Sequence, residues 1–126
     1  MDTVKQSRYE SYQAEACSVE ATLELIGGKG KGIILYYLLD GKLRFNEIRR
    51  KLGPITSRIL TKQLRELEHS NLIYRIVYPQ VPPKVEYGLT EHGETLRPVI
   101  LMLKSWGKEY GIALVQNQKL NSNSNH

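Results

Sequence analysis

The sequence predicts an α+β fold that is mostly helical, and three observations carry that expectation. Apolar residues recur at helical spacing in five separate stretches. Two short runs, Leu72–Tyr78 and Val85–Leu89, are rich in β-branched and aromatic residues. Between them Pro79, Pro82 and Pro83 interrupt any strand, because proline has no amide donor. With 126 residues, 40% hydrophobic and 25% charged, the chain is the size and composition of one globular domain. Disorder throughout and collagen-like structure are excluded.

Residues 1–16 are polar, without a clear period, and read as an N-terminal arm or a frayed helix. Ser18 is the expected N-cap of a first helix, with Glu20 in its first turn. Val19, Thr22, Leu23 and Ile26 form the stripe of that helix, and Gly27-Gly28 ends it. A second helix, roughly 29–39, is apolar on most sides and therefore central. Asp40-Gly41 closes it. Phe45, Ile48 and Leu52 mark a short helix whose other face carries Arg49, Arg50 and Lys51. Gly53-Pro54 breaks the chain, and Thr56 or Ser57 caps a further helix to about His69. A short helix, a tight turn and a second helix outline a helix-turn-helix. The two strands with their proline-rich tip add a β-hairpin, which makes the whole a winged helix.

Thr90 caps a last helix, roughly 91–114, on which Leu96, Val99, Ile100, Leu103, Trp106 and Tyr110 form an apolar stripe. Gly93 in its first turn allows close backbone packing. Such a stripe needs a partner, either a second copy of the chain or the domain itself; the dimer interface is the favoured reading. From residue 115 the chain turns Asn/Ser-rich and is expected to be a disordered tail. The domain proper therefore spans 17–114.

The net charge of +5 is unevenly placed. Between Lys29 and Lys84 twelve basic residues face four acidic ones, a surplus of eight; elsewhere six basic residues face nine acidic ones, a deficit of three. A basic centre with acidic flanks points to a polyanion partner, although solubilising lysines and arginines also cluster by chance. At ~100° per residue, Leu60, Leu64 and Leu67 share one face of the second helix of the pair. Arg58, Thr61, Lys62 and Arg65 lie opposite, with Ser57 at the N-terminal edge. Arginine and lysine donate to guanine N7 and O6, and a threonine methyl meets a thymine methyl, so this face suits the major groove of double-stranded DNA. A solvated helix face would look similar. The joint occurrence of two basic helix faces and a hairpin bearing Arg75 and Lys84 favours the DNA reading. In that reading Lys84 and Arg75 approach backbone or minor groove, and Arg49, Arg50 and Lys51 hold phosphates.

Four segments, spanning roughly 17–110, closely resemble the HxlR family of bacterial winged-helix regulators, which look like relatives of the MarR group. They are Cys17-Ser-Val-Glu-Ala-Thr-Leu-Glu-Leu-Ile-Gly-Gly-Lys29, Phe45-Asn-Glu-Ile-Arg-Arg, Arg58-Ile-Leu-Thr-Lys-Gln-Leu-Arg-Glu-Leu67, and Tyr78-Pro-Gln-Val-Pro-Pro-Lys-Val-Glu-Tyr87 followed by Leu89-Thr90 and Gly93. The resemblance implies a homodimer built from the N- and C-terminal helices, bound to a palindromic operator with two recognition helices in successive major grooves. It matches Ser57, Arg58, Thr61, Lys62 and Arg65 to the recognition helix, and Pro82, Pro83 and Lys84 to the wing tip. Repression needs only occlusion of a promoter, and activation is also known in the family. The chain departs from the pattern at Gly30, where the family usually has Trp, and at Ser18, where it usually has Pro. Gly30 is expected inside a helix, at a cost of up to ~1 kcal/mol relative to Ala.

The resemblance also places Cys17 where some members respond to oxidants, quinones or aldehydes. The adjacent helix N-terminus favours its thiolate, while Glu15 and Glu20 oppose it. With one cysteine in the chain, a disulfide must be Cys17–Cys17 between subunits or mixed with a small thiol, and a small electrophile is the other effector class. The bland alternative is a small residue buried at the dimer interface.

No enzyme is legible. His69, His92 and His126 lack metal-ligand spacing, and Gly27-Gly28-Lys29-Gly30-Lys31-Gly32 lacks the Ser/Thr ending and preceding strand of a phosphate loop. No cofactor is expected. The longest apolar run, Gly32–Leu39, is far short of the ~20 residues that span a bilayer, and the N-terminus shows no signal-peptide core, so a cytoplasmic protein is expected. The competing class is a winged helix that serves as a protein-interaction or RNA-binding module.

Overall fold

The structure is a computed structural model that describes residues 14–124. The order of elements is α1 (Ala14–Ile26), α2 (Lys31–Leu38), β1 (Leu43–Arg44), α3 (Phe45–Leu52), α4 (Ser57–His69), β2 (Ile73–Tyr78), β3 (Lys84–Leu89), α5 (Glu91–Glu94), α6 (Arg97–Trp106), a π-helical segment Gly107–Gly111, and α7 (Ile112–Ser124). The fold is mostly helical with one small antiparallel sheet, as the sequence predicts. The sheet order is β1-β3-β2. Strand β3 is central, pairing Leu43 with Tyr87 on one side and running from Ile73–Leu89 to Tyr78–Lys84 on the other. Strand β1 is absent from the sequence reading because two residues show no alternation.

The core forms where α2, α4 and the sheet converge. Ile34, Leu35 and Leu38 of α2, Ile48 of α3, and Leu60, Leu64 and Leu67 of α4 are buried with Leu72, Ile73 and Tyr87. Thr56 is the N-cap of α4, its hydroxyl accepting the Ile59 amide at 3.1 Å. Arg44 stands at the start of α3, its amide donating to the Glu47 carboxylate at 2.8 Å. Both caps satisfy amides that the first helical turn leaves without partners.

Four expectations need correction. Ser18 is not an N-cap: it lies inside α1, where its carbonyl accepts the Thr22 hydroxyl at 2.8 Å. Ala14–Ala16 are helical, so the arm is at most residues 1–13, which lie outside the described residues. Of the α1 stripe only Ile26 reaches the core, while Val19 and Leu23 are exposed. Gly30 is not within a helix. It flanks the start of α2 at a φ of 121°, where an L side chain is strained, and the Gln63 carboxamide fills the space beside it while donating to the Lys29 carbonyl.

The last helix is not continuous either. Pro98 removes an amide and its ring would strike the carbonyl four residues back, so the chain breaks at Thr95–Leu96 and α6 starts with Pro98 in its first turn. Beyond Gly111, α7 continues to Ser124 across the segment expected to be disordered. Neither Gly nor Pro interrupts Ile112–Ser124, so the helix propagates from the turn already formed. Residues 125 and 126 lie outside the described residues.

Gly93 meets its expectation of close packing. A Cβ built there would lie 2.1 Å from the Leu72 carbonyl oxygen. Gly93 is held in place by its amide, which donates to the Thr90 hydroxyl at 3.0 Å, and that hydroxyl donates to the Asn71 carbonyl at 2.7 Å. Gly93→Ala is therefore expected to push α5 off the end of β2 and to lower unfolding stability by about 1–3 kcal/mol, measured by urea denaturation.

Candidate nucleic-acid interface

Helix α4 shows how the site arises from the leucine period. Leu60, Leu64 and Leu67 are 0%, 1% and 0% exposed, and their burial turns the opposite side of the helix outward. Ser57, Arg58, Lys62 and Arg65 are exposed there and Thr61 is half-buried. These five residues share one open groove of about 1170 Å³ with Glu24 and Leu25 of α1, Lys31, Glu66, His69 and Ser70. The N-terminus of α4, with its outward amides, lies at Ser57. Glu66 sits at the flank of this groove, and its carboxylate is 3.1 Å from the Lys31 ammonium. That pairing offsets a negative charge beside the basic face.

The other cations predicted to contact DNA fall in two places. Arg49, Arg50 and Lys51 are exposed in the last turn of α3. The Lys51 ammonium lies 5.4 Å from the centre of the Tyr37 ring, a cation–π contact. On the hairpin Arg75 is exposed in β2, and Pro82 and Pro83 are exposed at the tip. Lys84 differs from the free wing cation that the sequence suggests, because it is half-buried. Its ammonium lies 3.7 Å from Glu86 Oε2 and 4.6 Å from the centre of the Tyr78 ring.

Sequence reasoning missed Glu86. The Tyr78 hydroxyl donates to Glu86 Oε1 at 2.8 Å, and the Lys42 ammonium is 4.0 Å from the same oxygen. The phenol hydrogen bond, reinforced by Lys84, Lys42 and Arg44, holds the Glu86 carboxyl below the usual carboxylate range. The same hydrogen bond pushes the Tyr78 phenol up. The carboxylate is thus ionised at neutral pH. The only signal in the sequence was Glu86 standing between the alternating Val85 and Tyr87.

The predicted interface stripe divides. Ile100 is 3% exposed in the core, and Leu96 packs against the same cluster. The reason is that α6 lies across α2, so its inward face is spent on its own domain. Val99, Leu103, Trp106 and Tyr110 are exposed, and Met102, Ile112, Leu114 and Val115 extend them. The Trp106 and Tyr110 rings stand 5.8 Å apart at 50°. Cys17 is half-buried on α1, three residues along the helix from Ala14 rather than at a cap. Among the described residues no cluster of three or more His, Cys, Asp or Glu could hold a metal ion, and no helix is long and apolar enough to cross a membrane.

Comparisons with known proteins identify the family. Residues 25–114 match the HxlR-like helix-turn-helix family. The chain is 62% identical over 102 residues to the uncharacterised HTH-type transcriptional regulator YdeP of Bacillus subtilis (strain 168), covering 81% of this chain and 80% of that one. Among solved structures it is similar to the redox regulator HypR in its reduced form, with a TM-score of 0.74 and 56% identity over 79% of this chain and 98% of that one. It is also similar to the reduced transcriptional regulator YodB from B. subtilis, with a TM-score of 0.65 and 34% identity over 74% of this chain and 91% of that one. YdeP and YodB are described as transcriptional regulators and HypR as a redox regulator. A winged helix with this buried leucine seam, matched over 25–114, places the chain in the HxlR-like helix-turn-helix family of transcriptional regulators.

Proposed function

We propose that the chain works as a homodimer that binds a palindromic DNA operator and represses by occluding a promoter. The observation that carries this reading is the outward face of α4, where Ser57, Arg58, Thr61, Lys62 and Arg65 line one open groove over a fully buried leucine seam. Laid into a major groove, this face supplies guanidinium and ammonium donors for guanine and a methyl for thymine. Arg49, Arg50, Lys51, Arg75 and the wing around Pro82–Lys84 then lie on phosphates, which set register rather than sequence. The exposed apolar face of α6–α7 supplies the seam between two copies, and the two-fold puts one α4 in each of two successive major grooves.

Salt titration of binding to the promoter of its own gene tests this reading. A specific dimer shows a steep fall of affinity with salt and keeps its preference over random duplex. Equal affinity for both DNAs, or tighter binding to RNA, overturns operator recognition.

Cys17 is the proposed sensor within this function. Two similar proteins are described by redox state: HypR in oxidised and reduced forms, and YodB in reduced and diamide-treated forms. In this chain diamide would take two electrons and two protons from two thiols, forming one Cys17–Cys17 bond between subunits. Diamide is expected to weaken operator binding by wild-type protein, measured by electrophoretic mobility shift, and Cys17→Ser protein is expected not to respond. A normal response from Cys17→Ser protein rules out sensing at this residue.

A further inference from the structure

The wing carries a carboxylate in the middle of its cations. Glu86 stands on the central strand, in register with Arg44 of β1 and Ile76 of β2. Its side chain is only 16% exposed. One oxygen holds the Tyr78 phenol and faces Lys42, and the other faces Lys84. Tyr78 and Lys84 are themselves the last paired residues before the proline tip. A single carboxylate therefore ties both ends of the hairpin tip to the segment that leads into β1.

We propose that Glu86 is a positioning residue for the DNA contact of the wing. It orients Lys84 and Lys42 at the root of the wing and offsets part of their charge, so that a backbone phosphate must compete with a carboxylate for both ammonium groups. Sequence-independent attraction to a duplex grows with the number of cations that phosphates neutralise. A lysine already within 4 Å of a carboxylate brings less net charge to that exchange, and the carboxylate itself repels the phosphate. Glu86 thereby holds down indiscriminate binding by the wing while the base-facing side of α4 is untouched. The preference for operator over random sequence rises. This inference rests on the DNA-binding reading of α4 and the wing.

The test is Glu86→Gln, whose amide oxygen still accepts the Tyr78 hydroxyl while the charge is gone. Affinity for random duplex at low salt is expected to rise about threefold to tenfold, with the log–log salt slope steeper by about one unit. The ratio of operator to random affinity is expected to fall. Random-duplex affinity and slope equal to wild type would show Glu86 to be a structural brace only and would overturn the proposal. Lys84→Gln provides a second arm that leaves the carboxylate in place. It is expected to flatten the slope by clearly less than the roughly one unit lost in Arg49→Gln. A full unit lost in Lys84→Gln also overturns the proposal. Wild-type protein that binds duplex without salt dependence would instead sink the DNA-binding reading itself, so the two failures are distinguishable.

Discussion

Replacing Arg58 or Arg65 with alanine is expected to weaken operator binding by about 1–3 kcal/mol each, roughly 5- to 150-fold. The magnitude follows from chemistry at the face of α4. A guanidinium presents two parallel donors to guanine O6 and N7, and no methyl group replaces them. The effect should appear as lost discrimination: the operator loses affinity, and random duplex loses much less. Arg49→Ala provides the contrast, because a phosphate contact weakens all sequences alike and flattens the salt slope by about one unit. Folding does not confound the comparison. Arg58 and Arg65 are exposed, whereas the leucines on the other side of the helix make the core, so unfolding free energy should stay within about 0.5 kcal/mol of wild type. Competition titrations against operator and random duplexes measure both quantities. Unchanged discrimination in both variants would remove α4 as the reading helix.

The sequence was most legible where one period governs one neighbour. Leu60, Leu64 and Leu67 repeat at helical spacing because they meet a single core, and the face opposite them could be read directly. A cap at Thr56 or Ser57 and the proline tip were legible because their chemistry is local: a hydroxyl that accepts an amide, and rings that donate none. Legibility failed where one element serves two neighbours. Leu96, Val99, Ile100 and Leu103 look like one stripe on a helical wheel, yet Leu96 and Ile100 turn to α2 while Val99 and Leu103 face outward. Glu86 was missed for a related reason. Its importance comes from the pairing of Tyr78 with Lys84 across the hairpin, and a register of that kind is not contained in the spacing of residues along one strand. Gly30 reads as a helix defect because the group that leaves no room for a Cβ there is the Gln63 carboxamide, 33 residues further on.

The division of the α6 stripe yields the second large expectation. Leu103→Glu and Ile100→Ala sit within one turn of each other and should fail in opposite ways. Ile100 is 3% exposed within the core, so its truncation leaves a cavity and is expected to cost about 2–5 kcal/mol of unfolding stability. Leu103 faces outward beside Val99 and Trp106. Glutamate there stays hydrated in a single subunit, and the monomer should keep its far-UV circular dichroism. In a two-fold seam the same carboxylate must leave water opposite an apolar surface, which costs several kcal/mol. Leu103→Glu protein is therefore expected to sediment as a monomer at concentrations where wild type is expected to sediment as the proposed dimer. Operator binding should then fall by about 10²-fold or more, because two linked half-site contacts become independent events. Sedimentation velocity and operator titration on the same sample connect the two losses. If Leu103→Glu remains a dimer with intact operator affinity, the exposed face of α6 is not the seam, and the spacing of the two recognition helices must be set by another surface.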